Sequence, residues 1–243
     1  MKCCGYNCDS TDLIKAHVFP RGFARDMMTG THNVQVSITK ARLTQHGPYD
    51  QGILCATCDG IIGEYDDYAN SICRIFPLAH IERDGTFETK NVDGNKFARF
   101  ALAVLWRASV STRKEFQEVK LGNFEEEAQK VIFGVIPLSA MPSYQLMIAR
   151  YNESKKLDVD KLYTCPARLE TAGRNGWYFA LSGFRFVAKL DERPFEGIPP
   201  EAIVNGNDRL FGAFIDYEGT SEHQATVNMV QAHVQRKKHK TKS

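Results

Sequence analysis

Two short-spaced pairs of cysteines constrain this chain more than any other feature. The first lies in Cys3-Cys4-Gly5-Tyr6-Asn7-Cys8 and the second in Leu54-Cys55-Ala56-Thr57-Cys58-Asp59. Two such pairs separated by a long insert can close a tetrahedral thiolate site around zinc. Cys4, Cys8, Cys55 and Cys58 are the expected ligands, and Cys3 competes with Cys4 for the first position. The chain has seven cysteines, an odd number that argues against a complete disulfide framework. In a reducing compartment paired cysteines more often bind metal. Cys73 and Cys165 stand outside any short pair and are expected to be packed thiols.

The 243 residues are 43% hydrophobic, which is ordinary for a globular protein. No apolar run is long enough to span a bilayer. Met1-Lys2-Cys3-Cys4 lacks the apolar core of a signal peptide. The expectation is a soluble, cytoplasmic protein with no membrane partner. The last eleven residues carry Arg236, Lys237, Lys238, Lys240 and Lys242 and no acid. Without those five cations the net charge of +2 becomes −3 for residues 1–232. A basic tail on a mildly acidic body can add salt-sensitive phosphate binding, or simply solubilise the terminus.

The pattern predicts an α+β protein in two units and a tail. Residues 1–93 read as a zinc-stapled module: a turn at 3–8, strands around 13–19 and 53–54, and a helix from about 59 to 72. Residues 76–93, with Pro77, Asp84-Gly85 and Asp93-Gly94, read as a loop or hairpin ending at a boundary. Residues 94–232 read as two helices followed by an antiparallel sheet. Phe97, Phe100, Ala101, Val104, Leu105 and Ala108 recur at helical spacing on one face. Asn123 and Glu126 resemble a capping pair for a second helix. After Pro137 the period shortens towards two, predicting strands at 144–149, 177–181, 184–190 and 210–215, with Gly183 at a bulge or tight turn. Residues 233–243 form the basic tail.

The first module resembles the HNH (ββα-metal) endonuclease family, over residues 3–70. Members carry a histidine followed by an apolar residue, any residue and proline, and His17-Val18-Phe19-Pro20 has that form. Members then place an asparagine five positions before a Leu-Cys-x-x-Cys-His signature. Here Asp50 takes the asparagine position, Leu54-Cys55-Ala56-Thr57-Cys58 matches, and Asp59 replaces the final histidine. Ala16 stands where many members carry a second metal ligand.

The resemblance implies a zinc-stabilised HNH-like module that cleaves DNA with a divalent ion. His17 would be the general base that activates water. Asp50 would brace its strand and loop. Asp59 would bind magnesium or manganese, which accept carboxylate oxygens. Asp66, two helical turns on, is a second candidate ligand, with Glu64 and Asp67 as competitors. Arg21 and Arg25 flank the histidine motif and are candidate phosphate contacts, together with Arg236, Lys237, Lys238 and Lys240. His32 and His46 lie in the same insert, and their spacing favours no role. Arg107 is a candidate ion-pair anchor. Compact members with unfamiliar partner domains belong to mobile elements or anti-phage defence, and the C-terminal unit would then select substrate or bind a regulatory protein partner. The alternative is a non-catalytic, zinc-dependent module that binds nucleic acid or protein, or an effector subunit of a larger complex. Ala16, Asp50 and Asp59 favour that alternative.

Overall fold

The computed structural model describes residues 1–27, 33–36, 41–44, 47–152, 158–171, 173–195, 197–220, 223–224 and 227–228. The N-terminal knuckle leads into β1 (Ala16–His17) and the short helix α1 (Arg21–Asp26). Strands β2 (Asn33–Val36) and β3 (Ala41–Thr44) follow, then β4 (Tyr49–Asp50), which returns to pair antiparallel with β1. The register sets Ala16 opposite Asp50 and His17 opposite Tyr49. A further bridge joins Leu13 to Cys55, which caps the long helix α2 (Ala56–Ala79) in an extended conformation. The helix thus starts three residues earlier, and ends seven later, than the sequence predicts.

Of residues 76–93, expected as a loop or hairpin, the first four extend α2 and the part from Ile81 is a hairpin. β5 (Ile81–Arg83) and β6 (Thr86–Lys90) are joined by Asp84-Gly85, both with positive φ, as a two-residue type I′ turn requires. Helix α3 (Gly94–Val110) begins at Asp93, whose side chain accepts the Lys96 N–H at 3.0 Å. Helix α4 (Glu125–Ile132) enters from a 3-10 turn at Gly122–Phe124 and has no side-chain cap, so Asn123 does not play the expected capping role. Strands β7 (Tyr144–Tyr151), β8 (Leu162–Thr164), β9 (Ala167–Thr171), β10 (Arg174–Leu181), β11 (Phe184–Leu190) and β12 (Arg209–Ile215) complete the chain. Ser182-Gly183, again both at positive φ, makes the tight turn between β10 and β11. The α+β class holds: among the described residues there are four α-helices, and ten strands join one sheet.

The expected boundary at residue 93 is not observed. The sheet runs in the order β3-β2-β8-β10-β11-β7-β12-β6-β5, with β9 also on β10. Strands from both predicted units are therefore interleaved: β2 pairs with β8, and β6 with β12. The core is continuous as well. Phe23 stacks on Phe100 at 5.3 Å, Phe19 packs against Phe116, Tyr163 and Phe179, and Phe76 meets Phe87 and Phe184 edge-on. The cause lies in α3. Besides the predicted apolar face, Leu102, Ala103 and Trp106 are also buried, so between Phe97 and Ala108 buried apolar residues point to every side, with Arg107 the one buried charge among them. Such a helix must be covered on every side. Helix α2 packs against it, as do α4, β7 and β11. The basic tail, including Arg236, Lys237, Lys238 and Lys240, lies outside the described residues, as do the side chains of His32 and His46.

Candidate functional site

Four cysteine sulfurs converge where the knuckle meets the start of α2. The sulfurs of Cys3, Cys8, Cys55 and Cys58 all lie within 4.8 Å of one another. Cys3 takes the place expected of Cys4. The Cys3 N–H donates to the Ser10 carbonyl and the Cys4 N–H to the Ile53 carbonyl, so consecutive backbone groups engage different neighbours. Cys3 Sγ accepts from the Gly5 and Cys55 N–H groups, both at 3.3 Å. Cys4 falls outside the cluster, and its carbonyl is held instead by the Gln129 amide of α4 at 2.6 Å.

The donor set fits a metal. Tetrahedral zinc with sulfurs at about 2.3 Å requires an S···S spacing of about 3.8 Å, and Cys8 Sγ lies 3.7 Å from Cys55 Sγ. The Cys58 backbone N–H, with the neighbouring thiols, lowers Cys55 to about 7. Burial and the surrounding sulfurs push Cys58 in the opposite direction. A cation that takes all four as thiolates removes this conflict. Gly5 is required here, because a Cβ would sit 2.3 Å from Cys58 Sγ.

The β1–β4 pair rises from this staple. Ala16 is fully buried and Asp50, opposite it, nearly so, which turns their chain neighbours His17 and Tyr49 to the other side of the ribbon. His17 is half-buried, with its ring centre 6.0 Å from that of Tyr49. Asp50 is a brace. Its carboxylate accepts the Gly52 N–H at 2.8 Å, the Ser111 hydroxyl at 2.8 Å, and the Thr112 N–H and hydroxyl at 2.7 and 3.0 Å. Burial alone would raise this acid, but the hydrogen bonds outweigh it and hold Asp50 below the usual carboxylate range. It ties the loop before α2 to the C-terminus of α3.

The two acids of α2 differ. Asp66 is buried and forms a bidentate pair with Arg107 of α3, at 2.7 and 2.8 Å. Its expected place as a second metal ligand is thereby taken by a guanidinium, and Arg107 is the ion-pair anchor that the sequence suggested. Asp59, in the first turn, is half-buried and makes no side-chain hydrogen bond or ion pair among the described residues. Burial raises it above the usual carboxylate range, against the weaker pull of the Arg107 charge. A half-buried carboxylate of this kind favours a bound cation or proton.

Arg21 and Arg25 are exposed on α1. Arg25 lies 3.7 Å from Asp26, and Asp26 is itself gripped by Arg74 at 2.6 Å through two nitrogens and by Asn70 at 3.2 Å, which locks α1 to α2. Sequence reasoning missed Tyr49, Ser111, Thr112 and Arg113. No local pattern marks them, because they meet only when the end of α3 reaches β4. No helix among the described residues is long and apolar enough to cross a membrane. No family model matches this chain, and neither a curated protein nor a solved structure matches it.

Proposed function

We propose that the chain is a zinc-stabilised, HNH-like endonuclease that hydrolyses DNA phosphodiester bonds with a divalent metal. The observation that carries this reading is the arrangement of two strands and a helix around the thiolate cluster. His17 lies on the outward side of a two-stranded ribbon, and the helix that follows presents in its first turn Asp59, which has no ion-pair partner among the described residues. Zinc at Cys3, Cys8, Cys55 and Cys58 would have a structural role, joining the knuckle to the helix start.

His17 takes a proton from water as the water oxygen bonds to phosphorus, and the opposite P–O bond breaks. Asp50 keeps β4, and with it the histidine strand, in register with the end of α3. Asp59 is the carboxylate available to hold magnesium or manganese, which when bound supplies charge stabilisation at the phosphate and leaving oxygen. Asp66 is excluded from that role by Arg107.

The capture of Asp66 also favours a second reading, in which the scaffold binds nucleic acid or a protein without cutting. Plasmid cleavage decides between them. Zinc-loaded protein with magnesium or manganese should nick plasmid DNA, and His17→Ala should lose about a hundredfold to ten-thousandfold in rate. Asp59→Ala should also lose activity, with partial rescue by excess metal that His17→Ala does not show. Full activity in His17→Ala would remove the proposed mechanism. An inactive wild type with either metal would leave the binding module.

A further inference from the structure

Beside His17 lies a cationic and aromatic patch that no sequence motif announced. Lys15 directly precedes β1, and both it and His17 reach the ring of Tyr49. Tyr49 lies opposite His17, and three basic side chains surround its ring. Lys15 Nζ is 5.6 Å from the ring centre, the Arg113 guanidinium carbon 5.8 Å and the His17 ring 6.0 Å. Arg113 is fixed there because its Nη1 donates to the Tyr49 carbonyl at 2.9 Å. The acid in contact is Glu115, paired with Arg113 at 2.8 Å. Lys15 and the neighbouring Lys114 are exposed and form no ion pair among the described residues.

We propose that Lys15, Tyr49 and Arg113 form a docking site for the phosphodiester backbone of a DNA strand running past His17. The identity of the bound polymer rests on the nuclease reading; the site itself rests on charge and geometry. Since every basic group lies within 6.0 Å of one ring centre, no two can be more than about 12 Å apart. Within that limit the groups can reach neighbouring phosphates of one strand, which follow each other at roughly 3.4 Å of axis per charge. Lys15, the charge without an ion-pair partner among the described residues, neutralises a phosphate, and Arg113, which is shared with Glu115, adds a donor beside the tyrosine. The position of the bound strand then brings one phosphate towards the imidazole.

The test is fluorescence anisotropy with a labelled 20-base-pair DNA duplex and the full-length, zinc-loaded protein, without magnesium or manganese. Lys15→Glu should weaken binding about tenfold at 50 mM salt and reduce the log–log salt slope by about one, the signature of a lost phosphate contact. Lys15→Arg should bind as wild type does. Lys90→Ala is the control, since Lys90 is exposed on β6 next to the other end of α3, about 25 Å away for a 17-residue helix. It should change nothing. Arg113→Ala should also weaken binding, with its melting temperature measured because the side chain supports β4. Unchanged affinity and slope in Lys15→Glu, no duplex binding by the wild type, or tighter binding of polyglutamate than of DNA would each overturn the proposal. The two readings fail separately. Binding that depends on Lys15, without cleavage in any metal, keeps the docking site and removes the nuclease. Cleavage with Lys15-independent binding does the reverse.

Discussion

Replacing Arg107 by Met should be among the most destabilising single changes in this protein. The guanidinium is 1% exposed and makes two short bonds to Asp66. Its Nε also donates to the Ala103 carbonyl at 3.3 Å. Removing it leaves a buried carboxylate with no cation, a change that costs about 3–5 kcal/mol in comparable pairs. Burial already raises Asp66, and losing the guanidinium removes the main opposing influence. In the variant, Asp66 therefore has a folded pKa above its unfolded value near 3.9. Stability tied to such a group is present at low pH and lost as pH rises through the folded pKa. The deficit should therefore grow as pH rises from the unfolded value towards the raised folded one, at up to about 1.4 kcal/mol per pH unit within that interval, and level off above it. Urea unfolding of zinc-saturated wild type and variant at matched pH measures this directly, because the metal contribution then cancels. The double variant Asp66→Leu/Arg107→Met should recover most of the loss, since an apolar pair leaves no orphan charge. A deficit under 1 kcal/mol, or one independent of pH, would refute the argument that the pair is buried and ionised.

Cys3→Ser should lose bound zinc and lower the melting temperature sharply, whereas Cys4→Ser should keep a full complement; elemental analysis of both decides which cysteine is the ligand. Asp50→Asn should cost about 1–3 kcal/mol, since an amide cannot accept from all four donors. The depressed carboxyl of the wild type contributes stability that is present above its unfolded pKa near 4 and lost as pH falls through the folded value. The gap between wild type and Asp50→Asn, read by urea unfolding, should therefore close below about pH 4.

Local chemistry made some of this legible in advance. The cysteine spacing marked the thiolate cluster. Asp84-Gly85 and the glycine at 183 marked two hairpin turns, because left-handed backbone is cheap for glycine. The shortening of the residue period towards two after Pro137 located β7, β10, β11 and β12, and the apolar spacing after Asp93 located α3. Each of these signals operates within a few residues, so it survives without knowledge of the rest of the chain. Other features depend on groups far apart in sequence. Cys3 rather than Cys4 joins the cluster because backbone pairing to Ser10 and Ile53 sets which side chain turns inward. Asp66 read as a candidate metal ligand until α3 packed against it and supplied Arg107. The boundary at residue 93 vanished because α3, buried on nearly every side, draws both halves of the chain around it, and β6 and β2 then complete a sheet begun by strands more than a hundred residues later. Composition and spacing determined which residues could form a metal staple and which segments would be helix or strand. Only tertiary packing decided which acids remain free, which are paired, and which basic groups gather around His17, because burial and charge pairing depend on long-range neighbours that no local period encodes.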